Sequence, residues 1–165
     1  MGQKDKEKSL ETQYPSVDLA YEFVKPSYDW MLNRIEAMNS KMQGLLMLAT
    51  AVTGGIPILA KAIFDNVDFQ SVLFYGAIGL YVLLVVIGTV GLSMGGVKLF
   101  HPKLLYEKWL SNSIWEFKKD AIYFAGQNFE DNKKIIDAKS WLRNIMTILL
   151  LIELMIVIFW ISSAT

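Results

Sequence analysis

IMTILLLIELMIVIFW, residues 145–160, is hydrocarbon apart from one threonine and one carboxylate, Glu153. About 20 apolar residues suffice to cross a bilayer as a helix. This run begins after Arg143 and continues almost to the C-terminus. Two others accompany it. Nineteen uncharged residues lie between Lys41 and Lys61, and 29 lie between Asp68 and Lys98. One such run could be the buried helix of a soluble domain. Three in 165 residues predict an all-α integral membrane protein with three transmembrane helices, cytoplasmic helical extensions and a helical hairpin.

Composition supports that class. Hydrophobic residues make up 53% of the chain, high for a soluble domain. Sixteen Lys and Arg balance sixteen Asp and Glu, so no net field favours a polyanionic partner. There is no Cys and a single His, His101. Disulfides, thiolate metal sites and a Cys nucleophile are thereby excluded, as is a multi-histidine metal site within one subunit. No Ser-His-acid pattern, metal-ligand spacing or phosphate loop occurs, and the expectation is a protein that is no enzyme and takes no cofactor.

Basic residues set the orientation. Six precede the first span, none lies in residues 64–70, nine lie in 98–143, and the final SSAT has none. The N-terminus and the long loop are expected inside, the short loop and the C-terminus outside. The expected organisation is a disordered polar tail (1–16), cytoplasmic amphipathic helices (17–42), a first span (43–63), a second span (71–97), a cytoplasmic hairpin (98–143) and a third span (144–162). Trp160 and Trp141 would mark the outer and inner interfaces.

Tyr28, Met31, Ile35, Met38, Met42 and Leu45 recur at spacings of three and four. This is a heptad seam that packs either on the chain's own helices or on copies of itself. Pro26 suits the first turn of that helix, after a short helix around Val17 to Val24. The hairpin is rich in aromatics, among them Trp109, Trp115, Phe117, Tyr123, Phe124 and Phe129. One arm is expected over about 102–117. The other starts near the polar N-F-E-D at 128–131 and runs into the third span. Lys118, Lys119, Lys133 and Lys134 are candidate basic contacts for a ligand or lipid headgroups, or a solvated face.

Gly88, Gly91 and Gly95 are candidates for close helix packing in the second span. In the first span, Pro57 has no N–H for the carbonyl of Thr53, so a kink is expected at Gly54, Gly55 and Pro57, as a packing feature or a hinge. Glu153 lies near mid-depth, where Thr50, Thr53 and Thr89 also fall. Three readings stand. The carboxyl is neutral and hydrogen-bonded to threonines as a tie between spans. It rings a pore with its copies. Or it carries protons.

"YDWMLNRIEAMNSKMQGLLMLAT" (28–50), with Arg34 and Lys41 on one helix entering the first span, resembles the entry of SLATT-like small membrane effector proteins of bacterial anti-phage systems. "DNKKIIDAKSWLRNIMTILLLIELMIVIFW" (131–160), with Asn132 and Lys139 before the last span, looks like their final helix. The resemblance extends to the channel effector of Hailong-type defence. It implies an oligomeric pore or ion-channel effector in the bacterial inner membrane, a homo-oligomer in the lipid bilayer. Gating would come from a cytoplasmic signal such as a nucleotide or oligonucleotide made by a partner enzyme. The alternative is a non-conducting anchor or scaffold that recruits a partner through hairpin aromatics such as Trp109 and Trp115.

Overall fold

A computed structural model describes residues 15–63, 72–95, 98 and 112–163, less the side chain of Leu59. The tail, the short loop, most of the first hairpin arm, His101 and Trp109 lie outside the described residues. All regular structure within them is helical: α1 (Val17–Thr50), a π-helical turn (Ala51–Gly55), α2 (Ile56–Ile63), α3 (Val72–Ser93) and α4 (Ile114–Ser163). Three helical stretches are long and apolar enough to cross a membrane: Val17–Ala62, Val72–Ser93 and Ile114–Ser163.

The chain divides into two compact units. One holds Met1–Ile35 and Gly96–Ile135, the other Glu36–Gly95 and Ile136–Thr165. The heptad seam of α1 is buried in both. Tyr28, Met31 and Ile35 are inside the first; Met38 and Met42 are inside the second, with Leu45 packed on its core. Of the two readings of this seam, the chain's own helices cover it.

Pro26 sits within α1 rather than at its start, because the helix already begins at Val17. A proline inside a helix leaves a carbonyl one turn back without its donor. The Ser27 hydroxyl donates to the neighbouring Phe23 carbonyl at 2.8 Å.

The hairpin differs from the expected one. α4 does not start at 128; it runs unbroken from Ile114. Its start is a capping box. The Glu116 N–H donates to Ser113 Oγ at 3.3 Å, and the Ser113 N–H to Glu116 Oε2 at 3.4 Å. Two orphan donors are satisfied reciprocally. Nothing in 118–127 stops the helix, since it holds no proline and only one glycine, Gly126. Asn128, expected at a cap, is instead buried, and so is Asn132.

In the second unit, Met42, Ala49, Leu84, Leu142 and Met146 form one core cluster; Ala77, Val157 and Trp160 form another. Trp160 is 1% exposed and stacks on Phe74 at 5.0 Å, so it faces inward, whereas Trp141 is exposed. α3 reaches its neighbours through glycine. A Cβ at Gly91 would stand 2.1 Å from Met42 Cε and 3.3 Å from Leu142 Cδ1; one at Gly88 would stand 2.8 Å from Leu46 Cδ2. Gly95 does a different job from the packing expected of it. At φ 71° it takes the left-handed conformation that stops a helix. Gly91→Leu is expected to cost about 1–3 kcal/mol by overpacking, read as a fall in Tm in detergent, while Gly76→Leu, at an open position, leaves Tm unchanged.

No more than 24% of any of the three apolar windows is buried within the chain. Val82, Val86, Val90, Leu151, Met155 and Phe159 are among the exposed side chains. In water they would make an outsized apolar patch; in a bilayer they meet hydrocarbon.

Candidate functional site

The inner face of α4 in the second unit carries Lys139, Leu142, Met146, Glu153, Val157 and Trp160, at helical seam spacing. Two of these are ionisable and fully buried. An apolar seam interrupted by polar groups costs stability and fixes register, so each needs an account.

Glu153 lies between the two apolar clusters. The Thr53 hydroxyl donates to its Oε1. The other oxygen, Oε2, is buried and has no hydrogen-bond partner. No ion pair joins Glu153 among the described residues. Thr53 belongs to the π-helical turn. There the Ile56 N–H donates to the Ala51 carbonyl, five residues back. The usual donors for the Val52 carbonyl are residues 56 and 57. The first is committed to Ala51, and the second is Pro57, which has no N–H. The expected kink therefore takes the form of a π turn, a geometry that recurs at functional sites.

The other threonines are placed differently. Thr50 Oγ1 donates to the Leu46 carbonyl at 2.9 Å and lies 3.2 Å from the Tyr81 hydroxyl. Thr89 is on the exposed surface of α3. Only Thr53 joins Glu153. Glu153 is 0% exposed within one chain, so this conformation does not present it to a pore between copies.

Lys139 is 1% exposed. Its Nζ donates to the Gly91 carbonyl at 2.7 Å and to Asn39 Oδ1 at 2.8 Å. Gly91 is in the last turn of α3, where carbonyls have no partner within the helix. A cation there also meets the negative end of the helix dipole. Lys139 thus caps α3 from another helix. In the first unit Asn132 does a related job. Its Oδ1 accepts from the Lys98 N–H at 3.1 Å, and its Nδ2 donates to the Lys98 carbonyl at 3.3 Å. The Tyr28 hydroxyl donates to that same carbonyl. Beside the resemblance, Asn132 reads in the sequence as solvated surface with Lys133 and Lys134, which its burial corrects, and Lys139 stands out only in the resemblance. Their seam spacing with Leu142 and Met146 was the signal that places them inside.

The four candidate basic residues are on the surface. Lys118 pairs with Asp18 at 2.8 Å, and Lys134 with Asp131 at 3.6 Å. Lys119 stands 5.7 Å over the Trp115 ring, and Lys133 is exposed. The hydrogen bond from Lys98, at 2.5 Å, holds the Asp131 carboxyl below its usual range. A lowered carboxyl pKa contributes stability that is present above the ordinary value and lost as pH falls through the lowered one. An NMR titration should place the Asp131 midpoint below that of an ordinary aspartate, and Lys98→Ala should raise it.

Among the described residues no group of three or more His, Cys, Asp or Glu gathers to hold a metal. The fold and site define an all-helical protein with three helices long and apolar enough to cross a membrane, two of them tied by a carboxyl–hydroxyl contact. No family model, curated protein or solved structure matches the chain.

Proposed function

We propose that the protein is an oligomeric ion-conducting effector of the bacterial inner membrane, closed at rest and opened by a cytoplasmic signal such as a nucleotide or oligonucleotide. The observation that carries this reading is the Thr53–Glu153 contact at a π turn bordered by Pro57. A buried carboxyl among apolar side chains is retained at a cost. Here it joins the first span to the third at the π turn, where the first span's hydrogen-bond ladder is irregular. We read it as a latch rather than a pore lining. The surface hydroxyls of Thr50 and Thr89 are then the polar groups available to a conduction path between copies. Positive-inside placement puts the N-terminus in the cytoplasm and the C-terminus outside. The SLATT-like resemblance supports a role in anti-phage defence.

Bilayer recording of Glu153→Leu tests this. Leucine fills the seam between the two apolar clusters, so the fold is kept while the latch is lost. Currents absent from the wild type are expected. Silence from an intact oligomer would instead favour the second reading, an anchor that recruits a cytoplasmic partner. One observation speaks for that reading: Leu19, Phe23 and Trp30 are exposed along one stripe of α1.

A further inference from the structure

The site around Glu153 has more acceptors than donors. Oε2 is buried without a partner. The Thr53 hydroxyl spends its one proton on Oε1 and keeps lone pairs. In the same turn the Val52 carbonyl has lost both usual backbone donors, one to Ala51 and one to Pro57. Val52 packs on the cluster of Val157 and Trp160, one turn and two turns beyond Glu153 on α4. The Thr53–Glu153 contact thus sits in apolar surroundings, in the same turn as a carbonyl that has lost its usual donors. Hard oxygen ligands of this kind suit an alkali or alkaline-earth cation rather than a soft metal. Glu153 is the only acidic residue in 43–63, 72–95 and 144–163. One negative charge in hydrocarbon balances a monovalent ion; a divalent one would leave a net charge behind.

We infer that Glu153, Thr53 and the π-turn carbonyl of Val52 form a binding site for a small dehydrated alkali cation of the Na+ class. The ion neutralises Glu153, gives the orphan acceptors a partner, and holds the first and third spans together. The inference deepens the latch reading and rests on it for its consequence, since an ion that stabilises the tie also stabilises the closed state. Binding itself is measurable without conduction.

The test is thermal unfolding of the full chain in detergent at constant ionic strength, repeated at several pH values from neutral to mildly alkaline. Na+ is titrated against K+ and against choline. A ligand that binds only the folded state raises Tm with its concentration. The wild type should gain several degrees in Na+ and little in choline. Glu153→Gln, which keeps the Thr53 bond and supplies amide donors of its own, should fold and show no Na+ response. Thr53→Ser should keep the response, and Thr53→Val should weaken it. A wild-type Tm that ignores Na+ overturns the inference. So does one that follows pH alone, which would mean a carboxyl neutralised by a proton. A protein that responds to Na+ but never conducts keeps this site and loses the channel. One that conducts without responding to Na+ does the reverse.

Discussion

Thr53→Val in proteoliposomes is expected to leak ions that the wild type retains. The substitution keeps shape and removes the one hydroxyl that meets Glu153. A hydrogen bond to a buried carboxyl is worth about 1–3 kcal/mol. If it is made only in the closed state, losing it shifts the closed-to-open ratio by about five- to 150-fold. Thr50→Val is the control. Its hydroxyl meets Leu46 and Tyr81 rather than Glu153, so resting leakage should stay at the wild-type level. Equal leakage from both variants would point to general loosening of the bundle.

The second large effect is on stability. Lys139→Met keeps most of the side chain's volume but removes the donor shared by the Gly91 carbonyl and Asn39 Oδ1. The buried Gly91 carbonyl left without a partner costs about 1–3 kcal/mol, and the half-buried Asn39 oxygen adds a smaller cost. The sum approaches a large share of a typical folding free energy of about 5–15 kcal/mol. The variant should unfold at much lower temperature or fail to accumulate. Adding Asn39→Leu should recover part of the loss, because one orphan acceptor is then removed as well. A double variant no better than the single one would show that the Gly91 carbonyl, the exposed end of α3, dominates.

The elements and the site differ in how far the sequence reveals them. The three apolar stretches follow from length and hydropathy alone. The seam from Tyr28 to Leu45 follows from spacing, although only packing tells whether a seam meets its own chain. Pro57 announced an irregularity, and Thr53 was one of three hydroxyls at the depth of Glu153. Depth along a helix is readable from residue counts. The face that a residue presents depends on register, and the π turn changes register at Ala51–Gly55. That is why Thr53 meets Glu153 while Thr50 turns to Tyr81. The start of α4 was misplaced for a local reason. Ser113 and Glu116 form a capping box that reads directly as S-x-x-E, but the polar cluster at 128–131 looked like a stronger cap. Its one asparagine, Asn128, is buried instead, and the next residue along, Asn132, holds the Lys98 backbone through a contact 34 residues apart. Depth places Trp160 at an interface, and register decides that its ring turns inward onto Phe74.

The measurement closest to the central claim is a reversible cross-link across the Glu153–Thr53 contact. The chain has no cysteine, so Thr53→Cys with Glu153→Cys gives the only two thiols. A short, reducible bis-thiol reagent makes up for the reach lost with the glutamate. If this contact is the latch, the double variant leaks when uncoupled, falls silent when linked, and leaks again on reduction. Leakage that is the same linked and unlinked, or a double variant silent throughout, would contradict it.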